Sequence, residues 1–337
     1  MAKVLIAGYY GFGNLGDDLL LKAIVQEIRQ ADPEGEITAL SAWPAETGRV
    51  FGVRAICRTD PLGLLRELRR CGLLLFGGGT LLQDATSHRS LGYYLSLLSL
   101  ARRMGKPVML YAQGIGPLLH PSDQRRVARA LEQVQTITLR DRDSDALLRK
   151  MGVKKPALVT ADPVLGLGKR DGERDSRRIG WVLCGGGCGE RVLTVLEGTM
   201  TELSRRGFVS VLLPFYPRQD SRAAERLSCW GQVIPAGQVE QEIGRCDLVV
   251  SMRLHGLILG AAQGSRVLSL SRDPKAEGFL RDMGLPAGLA PEEMTAGSLA
   301  DAVLGLAKRA EEERLSAAQK ALEENRRQLT LLLRQQQ

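Results

Sequence analysis

A chain of 337 residues, 44% hydrophobic and 25% charged, is long enough for two α/β domains with separate cores and too apolar to be disordered. Aromatic residues make up only 4%, which argues against binding single-stranded nucleic acid by stacked rings. The net charge of +8 comes with no nucleic-acid motif, so anionic substrates are the expected partners, with an anionic membrane surface second.

The opening residues enter a strand over 4–7 at once, without the long apolar stretch of a signal peptide. No apolar run approaches the roughly 18 residues of a membrane helix, so a cytoplasmic location is expected. Gly11-Phe-Gly13-Asn14-Leu-Gly16 follows, then a helix over about 17–29. The glycine spacing matches a dinucleotide fingerprint, but Asp17 and Asp18 would put carboxylates at the helix end that pyrophosphate needs. The next strand, 37–40, also ends without an acidic ribose ligand. Asn14, Asp17 and Asp18 are better suited to sugar hydroxyls, and a carboxylate there can accept a hydroxyl proton. One of the two aspartates is expected to cap the helix as well.

A helix over 64–70 leads to strand 73–76 and the loop Gly77-Gly78-Gly79-Thr80-Leu-Leu-Gln83-Asp84-Ala-Thr86-Ser87-His88. Its glycines allow positive φ or close ligand approach, and the polar residues beyond them suit carbohydrate. Thr86, Ser87 or Ser90 can alternatively start the next helix, read over 91–104. Strand 108–112, helix 124–134 and strand 137–139 continue the alternation. Arg140 then faces a cleft or joins a salt bridge, and Asp141 or Asp143 caps a helix over 144–151. Apolar strands without clean alternation, the last at 157–160, indicate a parallel sheet covered on both faces.

Residues 168–178 have a linker composition. The pattern then restarts with strands 179–183, 209–213, 248–251 and 267–270, separated by helices. The expected organisation is an N-terminal Rossmann-like domain over 1–167 on the acceptor side, a linker over 168–178, a C-terminal Rossmann-like domain over 179–297, and helices over 298–337. Two such domains facing across a cleft bind ligands at the strand ends. The tail is read as packed on the body or as a basic amphipathic contact with a membrane. Of the six cysteines, Cys184 and Cys188 have a spacing a metal can use, but no second pair completes a tetrahedral set.

The strongest chemical signal is Ser251-Met-Arg253-Leu254-His255-Gly256, where a buried strand runs into a small-residue helix. Helix amides, among them those of Leu254 and Gly256, converge there with a guanidinium and an imidazole, and such an arrangement binds phosphate or carboxylate. Lys275 follows the neighbouring strand and can reach the same pocket.

These residues resemble the polysaccharide pyruvyl transferase family. The resemblance rests on the Gly8–Asp18 opening, Phe76–Asp84, Gln113-Gly114-Ile-Gly116-Pro117, Arg140-Asp141, Ala161-Asp162-Pro163, Arg253–Gly256 and Asp273-Pro274-Lys275. Their order is similar to the CsaB type, which modifies secondary cell-wall polymers. The resemblance implies a GT-B-like fold and a 4,6-linked pyruvate ketal on β-N-acetylmannosamine. It implies a lipid-diphosphate-linked acceptor at the cytoplasmic membrane face, and phosphoenolpyruvate held by Arg140, Arg253, His255 and Lys275. The acceptor is expected against Asn14, Asp17, Asp18, Gly78, Gly79, Gln83, Asp84 and Ser87. His255 is the expected acid or phosphate-binding cation and Asp17 or Asp18 the base. Phosphoenolpyruvate is a co-substrate, and neither cofactor nor metal is expected. Competing readings are a GT-B glycosyltransferase using a nucleotide sugar and a non-catalytic binder of anionic cell-wall glycans.

Overall fold

A computed structural model describes residues 1–85, 87–168, 173–306 and 311–336. The chain divides into two compact units. The first comprises Met1–Phe12, Asp17–Pro163 and Ala318–Gln337, and the second Gly13–Gly16 and Val164–Ala317.

Seven strands form the first unit's sheet: β1 Lys3–Tyr10, β2 Glu36–Ser41, β3 Arg54–Cys57, β4 Leu73–Gly77, β5 Val108–Gln113, β6 Thr136–Leu139 and β7 Leu158–Val159. They are parallel in the order 3-2-1-4-5-6-7. Helices α1 Leu15–Ala31, α2 Pro44–Phe51, α3 Pro61–Arg70, α4 His88–Arg103, α5 Pro121–Leu131 and α6 Arg142–Lys150 connect them. Leu5, Ala7, Leu74 and Phe76 enter one core, while Val4, Ile6, Leu73 and Leu75 enter another. Side chains alternate across a strand, so β1 and β4 are covered on both faces.

Five strands form the second sheet: β8 Asp175–Val182, β9 Val209–Leu212, β10 Gln232–Val233, β11 Cys246–Ser251 and β12 Arg266–Ser269. Their order is 10-9-8-11-12, again all parallel. The helices are α7 Glu190–Arg205, α8 Pro217–Leu227, α9 Val239–Arg245, α10 Leu254–Gln263, α11 Pro274–Met283 and α12 Ala296–Leu304. Strand β8 starts inside the stretch read as linker, because Arg178 pairs with the buried Glu242 and Ile179 enters the core. Residues 169–172 of that stretch lie outside the described residues.

The last helix, α13 Glu311–Arg334, returns to the first unit from Ala318 onward. Leu329, Leu332 and Leu333 join the core that contains β1, and Arg326 grips Glu27 through both oxygens at 2.5 and 2.8 Å. The apolar face expected for a membrane surface is thus buried against protein. Tail residues 307–310 and 337 lie outside the described residues. No helix among the described residues is long and apolar enough to cross a membrane.

Candidate active site

Each sheet reverses its strand order once, between β1 and β4 in the first unit and between β8 and β11 in the second. Ligands in open parallel sheets bind at the carboxyl ends of strands beside such a reversal, because the two connections leave in opposite directions and open a crevice. The chemistry-bearing loops follow these four strands.

In the first unit, Asp17 and Asp18 occupy the first turn of α1. Gly78 and Gly79 have φ of 68° and 69°, the left-handed region that a side chain strains to adopt. A Cβ on Gly78 would stand 2.8 Å from Leu20, and one on Gly79 3.6 Å from Asp17 Oδ1. The glycines therefore let the loop after β4 close onto the first turn of α1. Burial, assisted by Glu46, raises the Asp18 carboxyl from 3.8 to about 6, within the range of a general base working near neutrality. The Tyr10 hydroxyl donates to Gly77 O at 2.6 Å, and burial followed by Asp17 pushes its pKa well up.

Gln113 holds the glycine loop from below, its Nε2 donating to Gly78 O and Gly79 O at 2.6 Å each. It is aimed there by a bulge in β5, where Ala112 sits at φ 46°, a strained conformation of the kind concentrated near functional sites.

Other expected acceptor residues have structural partners. Asp84 accepts from the amides of Leu119 at 2.7 Å and His120 at 2.9 Å. Ser87 caps α4, accepting from Ser90 N at 3.3 Å, which is why that helix begins at His88 and not at 91. The alternative cap Thr86 lies outside the described residues. Gln83 is half-buried in the same loop. Arg140 is 5% exposed and bonds Asp141 at 3.2 Å, Asp162 at 3.4 Å and Thr80 at 3.1 Å. Of the two possible caps, Asp141 starts α6, accepting from Ser144 N at 2.7 Å.

In the second unit, Ser251 ends β11 and folds its hydroxyl back, accepting from Arg253 N and donating to Arg253 O. A Cβ on Gly256 would stand 2.3 Å from that hydroxyl, so glycine is what lets α10 start this close to the sheet. Arg253 caps α10 and reaches Asp220 through Nε at 3.2 Å and Nη2 at 2.5 Å, with Gln219 Oε1 3.4 Å from Nη2. Asp220, fully buried, also accepts from Tyr216 N and Gly185 N. His255 lies in the first turn of α10. Strand β12 runs beside β11, with Ser251 opposite Ser269, and repeats the turn through Ser269 and Ser271 before Asp273 caps α11 on Lys275 N. Arg253, Leu254, His255, Gly256 and Lys275 are thereby brought to the same sheet edge.

The segment Gly13–Gly16 clusters with this second unit. Leu15 N donates to Phe215 O at 2.8 Å, and Asn14 closes its own turn by accepting from Gly16 N at 3.1 Å. A Cβ on Gly16 would stand 2.4 Å from His255 Nδ1. Asn14 thus belongs to the unit that carries His255. Cys188 faces Met252, and burial pushes its thiol up to about 11.

Two features escaped the sequence. Asp220 is 33 residues from Arg253 and carries no motif. The second is Arg58, whose guanidinium lies 4.4 Å from the Tyr93 ring, 5.4 Å from Phe12, 5.5 Å from Tyr94 and 6.0 Å from Tyr9. Tyr9 and Phe12 stack on each other at 4.0 Å beside the loop after β1. Only the aromatic doublets Tyr9-Tyr10 and Tyr93-Tyr94 hinted at it.

Two all-parallel α/β units with polar loops at their sheet reversals define a GT-B-like fold. The fold is similar to that of UDP-GlcNAc 2-epimerase from Methanocaldococcus jannaschii, with a TM-score of 0.67 and 10% identity over 96% of this chain and 99% of that one. It is likewise similar to the Neisseria meningitidis UDP-GlcNAc 2-epimerase, with a TM-score of 0.61 and 12% identity over 96% and 99%. The glycotransferase of kitacinnamycin gives a TM-score of 0.58 and 16% identity over 99% and 98%. No curated protein sequence matches. The family profile of polysaccharide pyruvyl transferases matches residues 14–274, and the chain belongs to that family, which makes it a transferase.

Proposed function

We propose that the chain transfers pyruvate from phosphoenolpyruvate to a cell-wall polysaccharide precursor, closing a 4,6-ketal on β-N-acetylmannosamine in the manner of the CsaB type. The observation that carries this reading is the arginine and imidazole at the start of α10. Asp220 holds Arg253 by two hydrogen bonds, and His255 follows two residues on, among helix amides. Such a cradle complements the phosphate and carboxylate of phosphoenolpyruvate. Lys275, at the adjacent helix start, adds a further cation. Arg140 belongs to the proposal as a cation already tied to Asp141 and Asp162, so a substrate anion gains it only by displacing one of them.

In this scheme His255 as imidazolium gives its proton to the methylene carbon, making C2 electrophilic. Asp18 or Asp17 takes the proton of one sugar hydroxyl as its oxygen bonds C2. The C2–O bond to phosphate breaks, and the second hydroxyl oxygen closes the ketal, its proton leaving with phosphate. One diol and one phosphoenolpyruvate give one ketal and one phosphate. Gly78, Gly79, Gln83 and the Arg58 cage receive the sugar. A lipid-diphosphate-linked acceptor at the inner membrane face accords with the charge of +8.

The test is phosphate release from phosphoenolpyruvate with a β-N-acetylmannosaminyl acceptor. Release that needs both substrates and fails in His255→Ala is expected. Turnover of a nucleotide sugar with no phosphate released from phosphoenolpyruvate would replace the proposal with the glycosyltransferase reading.

A further inference from the structure

Two of the chain's three histidines, His88 and His120, meet in the first unit, where nothing in the transferase scheme uses them. Their rings lie 4.6 Å apart. Among the described residues, one group has metal-ligand chemistry at bonding proximity: Asp84, His88 and His120 offer a carboxylate oxygen and two ring nitrogens, all within 4.8 Å of one another.

We infer that Asp84, His88 and His120 bind a divalent transition-metal ion, with Asp123 orienting His88. Asp123 is buried, and its Oδ2 lies 2.9 Å from His88 Nδ1, while its Oδ1 accepts from Arg126 at 2.8 Å. An ionised carboxylate only accepts, so Nδ1 carries the proton and the lone pair of His88 falls on Nε2. A carboxylate fixing the far nitrogen of an imidazole is the usual outer support of a metal-bound histidine. Each Asp84 oxygen accepts one amide, Oδ1 from Leu119 and Oδ2 from His120, which fixes the carboxylate while leaving a lone pair on both oxygens.

Two imidazoles and one carboxylate select a borderline ion such as Zn²⁺, Co²⁺ or Ni²⁺ over Mg²⁺ or Ca²⁺, which favour all-oxygen sets. With bonds of about 2.0–2.2 Å the ligand atoms must close to roughly 3.3 Å, a movement within reach of two exposed histidines. Three protein ligands leave at least one position for water or an anion. The ion joins the loop after β4, which precedes α4, to the segment before α5. It therefore pins the end of the loop that carries Gly78, Gly79 and Gln83.

Titrating metal-free protein with Co²⁺, followed by calorimetry and absorption, tests this. One ion per chain is expected, without the charge-transfer band of a thiolate ligand, and Mg²⁺ in excess should not compete. His88→Gln and His120→Gln should each weaken binding at least tenfold, and Asp123→Asn by roughly 10- to 100-fold. Both histidines are exposed, so circular dichroism should match wild type. Absence of binding to the wild type, a thiolate band, or unchanged affinity in the double histidine variant overturns the assignment.

Discussion

Replacing Asp18 with Asn should stabilise the protein and damage its chemistry together. In the unfolded chain the carboxyl titrates near 3.9, whereas burial, then Glu46, lifts it to about 6 in the folded state. The folded protein binds the proton more tightly, so stability falls as pH rises between these values and the full penalty stands above about pH 6. A rise from 3.8 to about 6, at about 1.4 kcal/mol for each tenfold step in proton affinity, is about 3 kcal/mol. Asn has a similar shape and no charge to desolvate, so Asp18→Asn should gain up to about 3 kcal/mol at pH 7.5. At pH 5 the folded wild type is mostly protonated while the unfolded chain is not, and the gain should shrink to about half.

Urea unfolding of both proteins at the two pH values measures this. The same substitution should lower turnover by roughly 100-fold if Asp18 takes the hydroxyl proton, and wild-type activity should fall as pH drops through about 6. A variant no more stable than wild type at pH 7.5, or a gain that does not shrink at pH 5, refutes the buried-carboxylate reasoning.

Gly16→Ala places a methyl group 2.4 Å from His255 Nδ1, so the imidazole must move. Turnover should drop by roughly 100-fold, and a variant with unchanged kcat would separate His255 placement from catalysis. Asp220→Asn removes one charge and loosens the Arg253 fork, and the KM for phosphoenolpyruvate should rise roughly tenfold or more; a change confined to the acceptor KM would contradict the assignment of this pocket. Arg140→Met removes the buried guanidinium that bonds Asp141, Asp162 and Thr80, and urea unfolding should register a loss of about 3–5 kcal/mol; a loss below about 0.5 kcal/mol would mean that these pairs contribute nothing to the fold.

The parallel architecture was legible because strands such as β1, β4 and β11 are covered on both faces and read as unbroken apolar runs. Strand β3 was not, since its residues are exposed or half-buried and give no such run. The loops at the sheet reversals were legible because glycines, adjacent aspartates and an Arg-x-His step are rare and local. Their partners were not. Asp220 sits mid-sequence in a polar helix, and its burial depends on the packing of α8 beneath the loop after β8, where Gly185 has room for no side chain. The residue types of Asp84 and Ser87 suit sugar hydroxyls, but the amides they bond, Leu119 and His120 for Asp84 and Ser90 for Ser87, are matters of geometry that a single sequence does not carry. The return of α13 to the first unit had no sequence signal beyond a leucine-rich stripe.

The clamping of both expected arginines changes how each of them can meet an anion. Arg253 is paired with the buried Asp220 and Arg140 with Asp162, so neither brings a full unit of uncompensated charge. A guanidinium held from one side by a carboxylate is fixed in direction, and fixed donors lose less entropy on meeting a substrate than a mobile Arg does. Affinity for phosphoenolpyruvate should then depend less on net charge and more on placement, with Lys275, the helix amides and protonated His255 supplying the attraction. Protonation of His255 would serve binding and proton delivery together, and its loss on transfer would weaken the hold on phosphate as phosphate becomes the leaving group. Asp220→Asn, which frees a positive charge at the expense of order, should bind inorganic phosphate no worse than wild type while turning over more slowly. Tighter phosphate binding with unimpaired turnover would show that charge, and not placement, governs the pocket.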